Sequence, residues 1–567
     1  MADEGWVTVS SGGSCALAVS EEPIAERINR IGHDRSVLMA FYNFPASDVR
    51  HGRLQEFYES ELDSLRKQHF DSYDQESKVD YLLLQNYLQR SLRSLGRDSA
   101  RDAEFADIVK PFAAPIQEWV QTRMEVGAMD PQKVASSFDA ILHKVRLCRQ
   151  LVSEAKPGKY SQAAGYRAAR TIEHIRGSLR ETFEFYMSYD PLFDWWVREP
   201  YDQLDGELAA LPAFVREELG GVKPGDEDPI VGEPIGRSGL LAELEAEMIP
   251  YSPEELLRIA EKEYAWCEAE MVKASLELDF GERWRDALEH VKGLYEPPGS
   301  QPLFIKSLVR EGTEYVEKHN LVSVPRLAKE AMRMYMIPPE SQKVSPFFLG
   351  GTSLQVSYPT SNMSHTDKVM SMRGNNRHFA KATAFHEMIP GHHLQLFVAD
   401  RIRPYRRLFS TPFHIEGWAL YWEMVLWARG DFFTSPEDRI GSLFWRMHRC
   451  ARIVFSLKFH LGQMTPAECI ELLVTWVGHE RATAEGEVRR SFNGDHSPLY
   501  QAGYLLGALQ LWRLRDETVG QGLCPERVFH DRILNANMMP IELLRALLLD
   551  QKLQSDFRTT WRFYDGL

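Results

Sequence analysis

The chain has 567 residues, 44% hydrophobic and 26% charged, with a net charge of -15; this is an ordinary globular composition, long enough for two or more domains or one large helical body. The acidic balance opposes the clustered Lys and Arg that a phosphate-binding surface needs, so nucleic acid is not an expected partner. No run of about 18 apolar residues is present to span a bilayer, and the six cysteines (Cys15, Cys148, Cys267, Cys450, Cys469 and Cys524) are too dispersed for a disulfide scaffold or a CxxC site.

Residues 1–19 read as a tail. They begin acidic, lack a basic n-region, and hold only the short apolar run Cys15 to Val19, too little for a secretory signal. On these grounds the protein is expected to be cytoplasmic, with no membrane partner. Beyond the tail the pattern is helical, and the expected fold class is mainly α. Residues 20–239 are predicted to form an N-terminal helical lobe ending in the Pro- and Gly-rich linker LGGVKPGDEDPIVGEPIGRSG, Leu219 to Gly239. Residues 240–567 form the second helical lobe and carry every motif below.

Helix starts are written into that second part. Ser252-Pro253-Glu254-Glu255 joins an N-cap, a proline at the first helical position and a capping-box glutamate. Thr465-Pro466-Ala467-Glu468 repeats the device, and Ser435-Pro436-Glu437-Asp438 does so more weakly. One strand interrupts the helices. In TSLQVSYP, Leu354, Val356 and Tyr358 alternate with polar residues. It is read either as an edge on which an extended substrate pairs, with Tyr358 as a substrate contact, or as one arm of a hairpin.

The stretch KATAFHEMIPGHHLQ, Lys381 to Gln395, follows. A zinc helix places two histidines at i and i+4, about 400° apart and so on one face, with a glutamate beside the first. Here His386-Glu387 begins that pattern, but Pro390 occupies i+4 and the next histidines are His392 and His393. A bulge at Pro390-Gly391 would bring His392 to the i+4 place. A nearly regular helix would instead present His393 on the same face about 10.5 Å along the axis, a long reach for one metal ion. His392 is the expected second ligand and His393 its alternate. A third ligand is offered by Glu416 in TPFHIEGWALYWEMVLWARG, a carboxylate among Phe413, Ile415, Trp418 and Leu420 that needs a compensating charge. The competing reading of Glu416 is an ion pair with an arginine such as Arg452. Glu423, two turns on, is placed to hold a ligand histidine from behind.

FHEMIPGHHLQ, EGWALYWE and SPLYQAGYLLGALQ together resemble the signature stretches of the family called domain of unknown function 885, over much of the chain after about Leu240. The resemblance implies a large two-lobed, zinc-peptidase-like helical fold with a small β element beside the metal helix. It also implies metal-dependent hydrolysis, most simply of peptide or amide bonds, with Zn2+ or another divalent ion as cofactor. It lays the metal ligands on His386, the His392/His393 pair and Glu416, and the general base on Glu387. Two stretches depart from the family pattern. Arg452 to His460 has Ser456 and Lys458 where the pattern has aspartate and glycine, and Glu487 to Ser491 ends without its tyrosine. These departures leave the metal set intact and point to a changed substrate pocket.

Within that scheme Glu387 takes a proton from water and returns it to the leaving amine. Tyr504 is the first candidate for stabilising the oxyanion and Tyr500 the second. His460 and Arg490 are expected substrate-side groups, and His479-Glu480, with no second histidine nearby, is expected to be structural. Two rival readings remain: the same centre acting on a non-peptide small-molecule intermediate, or a binding protein with an inactive site. There is no G-x-S-x-G elbow and no phosphate loop.

Overall fold

The computed structural model describes residues 22–566 apart from 189, 223–228, 343–346, 349 and 495. The predicted tail, Cys15 and the middle of the predicted linker lie outside the described residues. Twenty-three α-helices and one two-stranded sheet are found among those that are described, a mainly α fold. None of the helices is long and apolar enough to cross a membrane.

The helix starts follow the capping chemistry. The side chain of Ser252 accepts from Glu255 N while Glu255 reaches back to the cap, and the Pro253–Glu277 helix begins there. Thr465 and Glu468 close the same box before Pro466–Leu472. Ser435 caps Pro436–His460 through Asp438 N. Each cap satisfies backbone N–H groups that the first turn leaves without partners.

The apolar side chains fall into two large clusters. Helices Ala106–Met124, Pro131–Ser153, Gln162–Met187 and Pro191–Gly220 enclose one of them, in which Phe183 stacks on Tyr201 at 3.7 Å. The first three helices, Ile24–Phe41, Asp48–Arg66 and Gln75–Ala103, bury their apolar faces instead with residues from 240 onward. The Pro/Gly-rich stretch thus closes the smaller core at its C-terminal end. The N-terminal edge of that core falls near Phe105 and has no such signal, because helix continues almost without a break on both sides of it.

Two long helices organise the larger core. Pro436–His460 is buried along most of its length. Pro412–Arg429 crosses Tyr500–Thr518 at very short range: a Cβ on Gly507 would lie 2.0 Å from the carbonyl oxygen of Phe413, and one on Gly417 would lie 2.7 Å from the backbone of Gly507. Only glycine permits that approach, and it sets Tyr500 and Tyr504 beside Glu416.

The strand is shorter than its pattern and differently paired. Leu354–Val356 pairs in parallel with Met334–Met336, so it is not a hairpin arm. Leu354 and Val356 point into a small apolar cluster with Ile305, Ala380, Ala384 and Met388, on the outer flank of the Arg377–Glu387 helix.

Candidate metal centre

The Arg377–Glu387 helix stops immediately after His386-Glu387, and a new helix, His392–Ala399, starts at the second histidine. Four residues, Met388 to Gly391, make the turn between them. Gly391 N donates to Phe385 O at 3.1 Å and Leu394 N to Met388 O at 3.2 Å, which closes the loop on the helix end. The loop is so tight that a Cβ on Gly391 would lie 1.7 Å from the carbonyl oxygen of His386. The Trp418 indole donates to Pro390 O at 2.9 Å, and Gln395 donates to His414 O at 3.2 Å. Both bonds tie the loop and second helix to the helix that carries Glu416.

This turn brings the rings of His386 and His392 to 4.9 Å, nearly perpendicular. Glu416 Oε2 lies 3.1 Å from His392 Nε2 and 3.8 Å from His386 Nε2. All three side chains are buried, and one ligand atom from each lies within 4.8 Å of the others. His386 Nδ1 lies 2.7 Å from Glu423 Oε1, so a proton held there leaves Nε2 with its lone pair toward the cluster. Arg449 reaches the same Glu423 oxygen at 3.4 Å. Arg452, the alternative partner for Glu416, pairs with Glu487 at 2.8 Å instead.

His393 is not part of the cluster. Its Nδ1 lies 3.1 Å from Gly351 O and its Nε2 2.8 Å from Ala328 O, so both ring nitrogens face carbonyl oxygens of other segments. The alternate assignment of the second ligand to His393 is corrected on that ground. It required a helix continuous through Pro390, and the loop removes that.

The charges fit a site that gathers cations. Burial opposes ionisation of Glu416, but the imidazoles of His392 and His386 hold its carboxyl well below the usual range. Burial likewise works against charging His386, yet the carboxylates of Glu416 and Glu423 raise its pKa to about 9. Two imidazoles and a carboxylate that would otherwise have to share protons suit a divalent ion such as zinc. His392 turns Nε2 to Glu416, and its Nδ1 is buried without a hydrogen-bond partner.

Glu387 is buried beside this set, and burial pushes its carboxyl pKa upward. Gly350 makes room for it: a Cβ there would lie 2.2 Å from Glu387 Oε2. Tyr500 donates its hydroxyl to Glu416 Oε1 at 2.5 Å and is committed to the ligand carboxylate. The Tyr504 ring lies parallel to His386 at 6.4 Å, with the Arg452 guanidinium 4.3 Å above it. Burial raises the pKa of the Tyr504 phenol, which keeps it a hydrogen-bond donor. Arg490 reaches the same hydroxyl at 3.5 Å.

Two expected substrate contacts sit among apolar side chains. Tyr358 packs with the small cluster on the flank of the metal helix. His460 sits about 12 Å further along its helix than Arg452. Its surroundings are Phe459 and Phe492, and burial followed by the charges of Arg101 and Arg97 pushes its pKa down to about 4. His479 bonds to His448 at 2.8 Å in the core, and the half-buried Glu480 pairs with Lys292 and Arg373. Sequence reasoning passed over Arg449 and the Arg452–Glu487 pair. The signal for both was a run of arginines on the apolar helix Pro436–His460, where burial demands partners.

Fold and geometry together define a helical protein with a buried cluster of two histidines and one glutamate able to hold a metal. The chain belongs to the family described as "Bacterial protein of unknown function (DUF885)", whose model matches residues 45–548. Two solved structures share the fold. One is a putative lipoprotein of unknown function from Shewanella oneidensis, 16% identical, with a TM-score of 0.67 over 93% of this chain and 100% of that one. The other is a putative lipoprotein from Colwellia psychrerythraea, 15% identical, with a TM-score of 0.59 over the same shares. No curated protein matches the sequence. The expected cytoplasmic location is corrected by these neighbours, both described as lipoproteins. The reading rested on the tail, a segment outside the described residues.

Proposed function

We propose that the protein is a metal-dependent hydrolase, with His386, His392 and Glu416 holding a zinc ion and a peptide or amide bond as its target. The observation that carries this reading is the convergence of those three ligand atoms within 4.8 Å, directly beside Glu387. Bound there, the ion would supply Lewis acidity and an acidified water. Glu387, its carboxyl pushed up by burial, is suited to take a proton from water and pass it to the leaving amine. Glu423 holds His386 in the tautomer and orientation a ligand needs, and Tyr500 holds Glu416. Tyr504, whose hydroxyl is not given to a ligand carboxylate, is the donor for the oxyanion.

A second reading keeps the centre and changes the substrate to a non-peptide small molecule. It is favoured by Ser456 and Ser491, which stand where the family pattern has aspartate and tyrosine. Both are committed to local bonds: Ser456 to Ile453 O, and Ser491 to Glu487 O and Gln501.

The test is turnover by zinc-loaded protein on a panel of short peptides and a matched panel of small amides and esters. Peptide hydrolysis that chelator abolishes and zinc restores is the expected result. Turnover confined to the small-molecule panel would favour the second reading. None on either panel, with one zinc bound per chain, would overturn both.

A further inference from the structure

Three arginines stand around the candidate centre, and two of them are paired. Arg449 reaches Glu423, and Arg452 reaches Glu487. Arg490 has no carboxylate within 4.0 Å among the described residues. Its one hydrogen bond there runs from Nη2 to the Tyr504 hydroxyl at 3.5 Å, and its Nε, shielded from solvent, has no partner. Glu487 lies one turn earlier on the same helix, but its Oε1 is engaged by Arg452 and its Oε2 is also without a partner, so the two do not meet. A guanidinium partly withdrawn from water and in contact with no carboxylate is a ready partner for an anion.

Its position says what that anion is. Arg490 and Tyr500 are half-buried, whereas Tyr504, Glu416 and the histidines are buried, so these two residues lie between the cluster and solvent. Its central carbon lies 5.9 Å from the ring of Tyr500, and that ring's hydroxyl bonds to Glu416. The free cation is therefore one tyrosine's width from a ligand carboxylate. Successive peptide residues advance by about 3.8 Å between Cα atoms, so one or two of them bridge such a span. Arginine's planar fork matches a carboxylate in two parallel bonds.

We propose that Arg490 anchors the C-terminal carboxylate of the substrate, which makes the enzyme exo-acting, removing one or two residues from the C-terminal end of a short peptide. This rests on the hydrolytic reading above. In the reaction the scissile C–N bond breaks and the oxygen of water joins the carbonyl carbon. One proton of that water passes by way of Glu387 to the departing amine.

The experiment compares two peptides identical except for a C-terminal carboxylate or carboxamide. The zinc-loaded full chain is used as wild type, Arg490→Gln and Arg490→Lys, with zinc content measured for each. Wild type is expected to prefer the carboxylate in kcat/KM on the order of 100-fold. Arg490→Gln loses that preference with its zinc retained, and Arg490→Lys restores part of it. A calorimetric arm titrates an N-acetyl amino acid and its amide into the same three proteins. Only the acid is expected to bind, and Arg490→Gln is expected to abolish that binding. Equal turnover of both peptides, or cleavage at internal bonds only, overturns the inference and leaves the hydrolytic reading standing. If neither peptide is cleaved, the hydrolytic reading is judged on the substrate panels above and the calorimetry decides the anchor. Acid binding lost in Arg490→Gln sustains it, and no binding, or binding indifferent to Arg490, overturns it.

Discussion

Glu387→Gln is expected to lower the rate of hydrolysis by about 10²- to 10⁴-fold while leaving the metal content unchanged. The carboxylate is not one of the three converging ligands. It lies in a pocket that Gly350 leaves open for it, and burial pushes its pKa upward. Glutamine has the same shape and fills the same space but takes no proton. Turnover of a peptide substrate beside elemental analysis of the same preparation checks the prediction. A parallel loss of metal would make Glu387 a ligand, and full activity would place the base elsewhere.

Gly391→Ala is expected to destabilise the chain by several kcal/mol, on the order of 3–5, and to remove metal from whatever folds. The added Cβ would stand 1.7 Å from His386 O and 2.6 Å from Phe385 O, both backbone atoms that no rotamer change can move. Relief requires reopening the loop that brings His386 and His392 together. Gly177→Ala is the contrast: it lies within the Gln162–Met187 helix and a Cβ there meets nothing within 4 Å, so that change should be neutral or stabilising by about 0.5–1 kcal/mol. Thermal melts of both variants with metal removed separate the folding effect from the loss of a bound ion. Equal melting temperatures for Gly391→Ala and wild type would contradict the account of the loop.

Much of this was legible in the sequence because it is local. Capping boxes at Ser252 and Thr465 need only four residues to be read. His386, His392 and Glu416 were legible as types and spacings, and so was Glu423, two turns beyond Glu416 on one helical face. The choice between His392 and His393 was settled by how tightly Met388 to Gly391 turns, which depends on the backbone approach at Gly391 and on Trp418 from a distant helix. His460 illustrates the opposite failure. It shares a helix with Arg452, but eight residues carry it about 12 Å away into the company of Arg97 and Arg101. The strand at Leu354 was visible by alternation; its parallel partner, three residues at Met334–Met336, was too short to announce itself. The smaller core begins inside nearly continuous helix near Phe105, where no proline or glycine marks the change.

The most direct test of the central claim is elemental analysis of metal in protein purified without chelator, for wild type beside His386→Ala, His392→Ala, His393→Ala and Glu416→Ala. The account predicts about one zinc per chain in wild type and in His393→Ala, and its loss in the other three. Metal lost in His393→Ala but kept in His392→Ala, or no metal in wild type, would contradict it.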